Sequence, residues 1–119
     1  MYNAYADGED DGSTCLHGDV ADALNLMVYA SDDGSAIWHV FRRQDAEHLA
    51  MWMRQRFRCI GHPVHQQKTY LKLDDLTDLR AATGIQPYVI EQRPGEMVFI
   101  PVGCAHQVGC VALISFTYC

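Results

Sequence analysis

The stretch "GEMVFIPVGCAHQV", residues 95–108, carries the pattern that decides the fold and points to a site. Its apolar run Met97–Ile100 predicts a strand, and Pro101 and Gly103 supply the residues that reverse a chain. His106 is therefore expected at the start of the next strand, facing back into the sheet. A metal ligand and a hydrogen-bonded core histidine are both compatible with this position, and the spacing from the turn favours the ligand.

The composition describes one small domain. The chain has 119 residues, 49% of them hydrophobic, and a net charge of −6. This charge argues against general affinity for nucleic acid and fits a basic partner such as a lysine-rich tail. No apolar run reaches the roughly 18 residues of a membrane helix, and the N-terminus has no secretory signal pattern, so we expect an intracellular protein. Five cysteines without a Cys-x-x-Cys pair indicate neither a disulfide framework nor a thiolate zinc site.

The first 13 positions hold the acidic, glycine-punctuated stretch "DGEDDGS" and are expected to form a loop or a disordered terminus. The domain proper is expected over residues 14–119. Within it, the nearly continuous apolar run over 21–30 predicts a strand buried on both faces, although periodicity alone also allows a short helix. Further strands are expected over 36–41, 87–92, 96–101 and after residue 105.

Helical spacing of apolar residues appears twice in the middle of the chain. It predicts a helix over 44–57 and a shorter one over 73–83, the second packed through Leu73, Leu76, Leu79 and Ala82 and capped by Gly84. Short strands with two helical insertions indicate a mainly β domain, for which a jelly roll or a barrel is the natural architecture.

His17 and Asp19 form a His-x-Asp pair, and in an extended segment this spacing places both side chains on one face. With His106 they offer two imidazoles and one carboxylate, which leaves three coordination positions open, as in non-haem Fe(II) oxygenases. A loop histidine beside a turn aspartate is the structural alternative. A closed zinc site that includes Cys104 is disfavoured because residue 104 lies within the reversing turn.

Four blocks carry a family resemblance. They are "GSTCLHGDVADALNLMVYA" (12–30), "AIWHVFRRQDAEHL" (36–49), "HPVHQQ" (62–67) and "PGEMVFIPVGCAHQV" (94–108). In order and spacing the chain resembles a JmjC domain of the lysine-demethylase-3 branch, including its fungal members. The resemblance covers roughly residues 1–108, and it implies a chain that is incomplete at both ends, because family members carry further strands.

The resemblance implies a double-stranded β-helix of the cupin or jelly-roll type, with Fe(II) held by His17, Asp19 and His106. It implies 2-oxoglutarate and O2 as cosubstrates, with Thr14 and Asn25 hydrogen-bonded to 2-oxoglutarate. The implied activity is demethylation of a methylated lysine in a histone tail, of the histone H3 lysine 9 type, in the nucleus. A catalytically inert remnant that acts as a metal-binding or interaction module is the second hypothesis. A small cupin enzyme acting on a metabolite is a third, which the blocks outside the ligands disfavour.

Overall fold

Six strands and two helices make up the described part of the chain. The structure, a computed structural model, describes residues 14–30 and 34–111, so the predicted loop over 1–13 lies outside the described residues. The elements are β1 (Thr14–His17), β2 (Ala23–Leu26), β3 (Ser35–Val40), α1 (Ala46–Phe57), α2 (Leu73–Thr83), β4 (Tyr88–Gln92), β5 (Met97–Ile100) and β6 (His106–Val111). A 3₁₀ turn, Arg43–Asp45, leads into α1. The predicted mainly β domain with two helical insertions is confirmed.

The strands form two antiparallel sheets. The larger has the order β1–β6–β3–β4, and the smaller pairs β2 with β5. The chain thus crosses to the smaller sheet twice, at β2 and at β5, and returns each time to the larger sheet, in which the consecutive strands β3 and β4 are also paired. This winding of one chain back and forth between two sheets is that of the predicted double-stranded β-helix.

The two sheets meet through a small apolar core. Trp38 and Val40 of β3 pack with Val98 and Ile100 of β5, and all four are at least nine-tenths buried. Alternation along each strand puts these residues on the facing sides of the two sheets. The apolar stretch Met97–Ile100 therefore contributes only alternate residues to this core, and Phe99 is 56% exposed.

A larger core lies between the helices and the β1 end of the four-stranded sheet. Leu49 and Met53 of α1 and Leu79 of α2 are fully buried there together with Leu16 and Phe41. The i, i+4 spacing of Leu49 and Met53 places both on one face of α1, which explains why this helix was predictable from periodicity. No helix in the described part of the chain has the length and apolar character needed to cross a membrane.

Helix α2 ends where its sequence predicts, but packs less than predicted. Gly84 adopts a left-handed conformation with φ 77°, and its N–H donates to the carbonyl of Arg80 at 2.9 Å. Only glycine takes this conformation at little cost, so the predicted cap is confirmed. Leu73, expected on the packed side, is 76% exposed because it lies at the first turn, away from the buried Leu79.

The predicted strand over 21–30 is wrong in length and in burial. Strand β2 covers only Ala23–Leu26, and its Leu24 and Leu26 are 67% and 52% exposed. β2 belongs to a two-stranded sheet whose inner face covers the core, while no described residue covers its outer face. An apolar run is compatible with burial on both faces, but the number of layers in the fold decides whether that burial occurs.

Candidate metal site

Two histidines that are remote in sequence meet at the end of the β1–β6 pairing. His17, the last residue of β1, lies directly opposite His106, the first residue of β6. Directly opposed residues project to the same face of a sheet. Accordingly, their imidazole rings lie with centroids 4.3 Å apart, tilted by 57°.

The β1–β6 register shifts by one residue before this point. Thr14 pairs with Val108 and His17 with His106, so three steps along β1 match two steps along β6. An extra residue on one strand of a pair lets two residues at an odd separation point to the same face of the sheet. Thr14 and His17 therefore share the face on which Val108 and His106 lie, although their odd separation would place them on opposite faces of a regular strand.

Asp19 reaches the histidines from a loop, not from a strand. β1 ends at His17, and Asp19 lies in the connection to β2, which corrects the expectation that the His-x-Asp pair shares one extended segment. The carboxylate oxygen Oδ1 lies 3.7 Å from Nε2 of His17, and Oδ2 lies 3.6 Å from Nε2 of His106. One ligand atom from each of the three residues falls within 4.8 Å of the others.

The turn that delivers His106 is held from two sides. Gly103 has φ 83°, and the N–H of Cys104 closes the turn on the carbonyl of Pro101 at 3.2 Å. The N–H of Val102 donates to Oδ1 of Asp22 at 2.7 Å, and its carbonyl accepts from Nε of Arg43 at 2.9 Å. Asp22 thereby ties the loop that carries Asp19 to the turn that precedes His106. Sequence reasoning missed this role, because Asp22 looks like an ordinary turn residue.

Each of the two histidines is held in the same tautomer by the backbone carbonyl of the residue two positions earlier. Nδ1–H of His17 donates to the carbonyl of Cys15 at 2.9 Å, and Nδ1–H of His106 donates to the carbonyl of Cys104 at 3.0 Å. A proton on Nδ1 leaves the lone pair on Nε2, the atom that faces Asp19 in each case. The hydrogen bonds that orient the ring of a metal-binding histidine are therefore already made, to the carbonyls of Cys15 and Cys104.

Burial favours the neutral form of His106. Its side chain is 4% exposed, and desolvation, with the nearby His17, lowers its pKa below the ordinary value against the opposing effects of the Cys104 carbonyl and Asp19. A neutral imidazole is the form that ligates a metal. Two imidazole nitrogens and a carboxylate oxygen suit Fe(II), and the half-exposed Asp19 leaves the site open on one side.

Cys104 does not join the ligand atoms. Among the described residues the group with metal-ligating geometry consists of His17, Asp19 and His106, and Cys104 contributes its backbone carbonyl to His106. Cys15, Cys59 and Cys104 are free thiols. A closed zinc site built on Cys104 is therefore not supported.

Thr14 and Asn25, the residues that the resemblance assigns to 2-oxoglutarate, lie on different sheets, Thr14 on β1 and Asn25 on β2. Thr14 is partly buried on the face that carries the histidines. Asn25 is exposed on β2, opposite the buried Val98, so it projects toward the larger sheet. Its Oδ1 accepts from Nε2 of Gln92 at 3.3 Å.

Gln92 is a further residue that sequence reasoning missed. It is 1% exposed, lies on β4, and its Oε1 accepts the indole N–H of Trp38 at 2.8 Å. The Trp38 ring in turn lies 6.0 Å from the His106 ring between centroids. A strand glutamine in "PYVIEQ" gives no local signal of burial, so only the packing of the two sheets revealed it.

Neutral side chains line the space between the sheets. The register places twelve described residues, none of them lysine or arginine, on the facing sides next to the ligands: Thr14, Ala23, Asn25, Ala36, Trp38, Val40, Tyr88, Ile90, Gln92, Val98, Ile100 and Val108. The site is thus apolar toward β3 and β5 and polar at Thr14, Asn25 and Gln92.

Comparison with known proteins identifies relatives of this chain. The JmjC domain family, described as a hydroxylase, matches residues 5–113. Lysine-specific demethylase JMJ29 of Arabidopsis thaliana is 40% identical over 100 residues, which cover 71% of this chain and 11% of that protein. Lysine-specific demethylase 3A-A of Xenopus laevis is 30% identical over 152 residues, covering 91% of this chain and 11% of the relative. Human lysine-specific demethylase 3A is 29% identical, with 91% and 12% covered. The chain spans about a tenth of the length of these relatives.

Proposed function

The chain belongs to the JmjC domain family, and on that premise we propose that it is an Fe(II)- and 2-oxoglutarate-dependent dioxygenase domain that demethylates lysine. One observation carries the proposal. Nε2 of His17 and Nε2 of His106 face the two oxygens of one Asp19 carboxylate, with both imidazoles held in the ligating tautomer. The lysine-specific demethylases among its relatives support the choice of reaction.

His17, Asp19 and His106 would hold the iron. Three protein ligands leave room for a cosubstrate and O2. With both bound, the iron supplies the oxidation of an N-methyl C–H bond: 2-oxoglutarate, O2 and the methylated amine give succinate, CO2, formaldehyde and the amine shortened by one methyl group.

The residues around the three ligands orient the cosubstrate and shield the site from water. Thr14 and Asn25 donate hydrogen bonds to the oxygens of 2-oxoglutarate, for which a hydroxyl and an amide are suitable donors. Trp38 and Val40 form an apolar wall beside His106 and keep water from that side of the site. Asp22 keeps the Asp19 loop and the His106 turn together.

The substrate we propose is a methylated lysine in a histone tail, of the histone H3 lysine 9 type, and the site of action is the nucleus. The names of the relatives support lysine as the target, and the net charge of −6 suits a basic peptide. Neither a membrane nor sequence-specific nucleic-acid binding enters this proposal.

A turnover assay tests the function. The chain is incubated with Fe(II), 2-oxoglutarate, O2 and mono- or dimethylated histone H3 peptides, and succinate and formaldehyde are quantified. Equal amounts of both products are expected, with neither formed by Asp19→Ala. Metal binding without succinate would contradict the proposal and support the alternative, an inert JmjC domain acting as a metal-binding or interaction module.

A further inference from the structure

A buried glutamine joins the two sheets beside the site. Gln92 lies on β4 of the larger sheet, yet its Nε2 donates to the carbonyl of Asn25 at 2.9 Å and to the carbonyl of Glu96 at 3.0 Å. Both acceptors belong to the region of the smaller sheet. With the indole N–H of Trp38 on Oε1, the amide is satisfied at both ends.

The same amide also contacts the Asn25 side chain. Nε2 of Gln92 lies 3.3 Å from Oδ1 of Asn25, a longer distance than to the two backbone carbonyls, so its two hydrogens serve three acceptors and the hydrogen directed at Asn25 is shared between the backbone carbonyl and Oδ1. In this pair Oδ1 of Asn25 is the acceptor. The NH2 group of Asn25 is then directed away from Gln92. If the donor of Gln92 were lost, the Asn25 amide would be free to rotate and to present either its oxygen or its nitrogen to a ligand.

We propose that Gln92 is a positioning residue of the cosubstrate site, which acts by holding the NH2 group of Asn25 ready to donate to a carboxylate of 2-oxoglutarate. This inference rests on the proposed function, because it takes Asn25 as a ligand of 2-oxoglutarate. Gln92 itself touches neither cosubstrate nor metal. The Trp38 indole N–H donates to Oε1 of Gln92 and so keeps the Gln92 amide turned with its Nε2 toward Asn25.

Gln107 offers a matched comparison. It is 0% exposed, and its amide pairs with the backbone N–H and carbonyl of Leu71, both at 2.8 Å. It therefore has the burial and hydrogen bonding of Gln92. It lies on the opposite face of the four-stranded sheet from Asn25, because it neighbours His106 along β6.

The test is a double-mutant cycle on cosubstrate binding. The full chain is loaded with Ni²⁺, which prevents turnover, and 2-oxoglutarate is titrated calorimetrically. Asn25→Ala and Gln92→Ala are each expected to raise the Kd for 2-oxoglutarate about tenfold, and the double variant is expected to bind no more weakly than Asn25→Ala alone. Gln92→Met fills the same volume without hydrogen bonds and is expected to match Gln92→Ala, which keeps the test available if the cavity unfolds the chain.

The controls separate positioning from general destabilisation. Gln107→Ala is expected to lower thermal stability as Gln92→Ala does while leaving the Kd for 2-oxoglutarate unchanged, and the Ni²⁺ affinity is expected to be the same for all these variants. If Gln92→Met binds 2-oxoglutarate as the wild type does, or if its effect adds fully to that of Asn25→Ala, the inference is wrong while the proposed function stands. If the wild-type Ni²⁺ complex does not bind 2-oxoglutarate, the proposed function fails and the inference with it.

Discussion

His17 and His106 use the same local device. Each imidazole donates through Nδ1 to the carbonyl of a residue two positions earlier, Cys15 and Cys104. The interaction needs only a particular backbone conformation on the N-terminal side of the histidine, so cysteine contributes nothing through its thiol. The result is a pair of Nε2 atoms aimed at one carboxylate before any metal is added.

Asp19→Ala is expected to weaken Ni²⁺ or Co²⁺ binding by more than about tenfold, because loss of a residue that only hydrogen-bonds to a metal ligand already costs about that much. The side chain is 37% exposed, so little stability should be lost with it. Calorimetric titration measures the affinity, and Asp74→Ala, an exposed position at the start of α2, is the control. An Asp19→Ala variant with wild-type affinity would exclude the carboxylate as a ligand.

His39 links stability to pH. It is partly buried with Nδ1 lacking a hydrogen-bond partner among the described residues, and desolvation lowers its pKa below the ordinary value of 6.5. The folded chain therefore binds this proton less readily than the unfolded chain, so the stability contributed by neutral His39 is fully present above pH 6.5 and is lost as the pH falls below 6.5 through the lowered pKa of the folded state.

We expect His39→Phe to make the free energy of unfolding of the metal-free chain less dependent on pH between about 7 and 5. Urea denaturation at several pH values, with a chelator present, measures this dependence. The His106 contribution remains in both proteins, so the difference between them reports His39. Identical pH dependence of the two proteins would contradict the assignment.

At the scale of single elements, the helices were the most predictable part of the chain. Apolar residues at i and i+4 in α1 and a glycine just past α2 are local signals, and the structure confirms both. β2 was the least predictable. Its apolar sequence is compatible with a buried strand and with a half-exposed one. The strand that pairs with it is formed by residues 97–100, far along the chain.

The turn before β6 yields a prediction with an internal control. Gly103 and Gly84 have similar left-handed φ values, 83° and 77°, and alanine at either position should cost about 1–2 kcal/mol. A Cβ at Gly103 would also lie 3.0 Å from Nε of Arg43, whereas a Cβ at Gly84 would have no neighbouring atom within 4 Å among the described residues. Gly103→Ala should therefore also disturb the turn that positions His106.

Accordingly, Gly103→Ala is expected to weaken Ni²⁺ binding severalfold, and Gly84→Ala to leave it unchanged at a similar loss of thermal stability. Calorimetry and thermal unfolding of the two variants measure both quantities. Equal metal affinities in the two variants would show that the turn tolerates the change without moving His106.

At the scale of the whole molecule, the two cores have different tasks. The core between the sheets surrounds the site, and the larger core under the helices holds α1 and α2 on the β1 end of the sheet. Stability should therefore depend mainly on the larger core, which contains most of the fully buried apolar side chains.

Leu49→Ala is expected to cost about 2–5 kcal/mol, because the leucine is fully buried in that core. Small domains have total stabilities of about 5–15 kcal/mol, so the variant should unfold at a markedly lower urea concentration. Leu73→Ala, at a leucine that is 76% exposed, is the matched control and should change stability by less than about 0.5 kcal/mol. Equal losses in both variants would contradict the description of the core.

The sequence by itself determined the mainly β character, the two helices and their ends, and the three residues that come together as His17, Asp19 and His106. The strands and helices depend on local spacing and turn chemistry, which a short window of residues contains, whereas the three site residues were expected from the His-x-Asp pair, the turn before His106 and the family resemblance. Only the tertiary structure decided that Asp19 reaches the site from a loop, that β2 is half exposed, and that Asp22 and Gln92 join separate strands. These contacts depend on sheet register and layer packing, which link residues far apart in the chain, such as Asp19 with His106 and Asp22 with Val102, and leave no trace in any one segment.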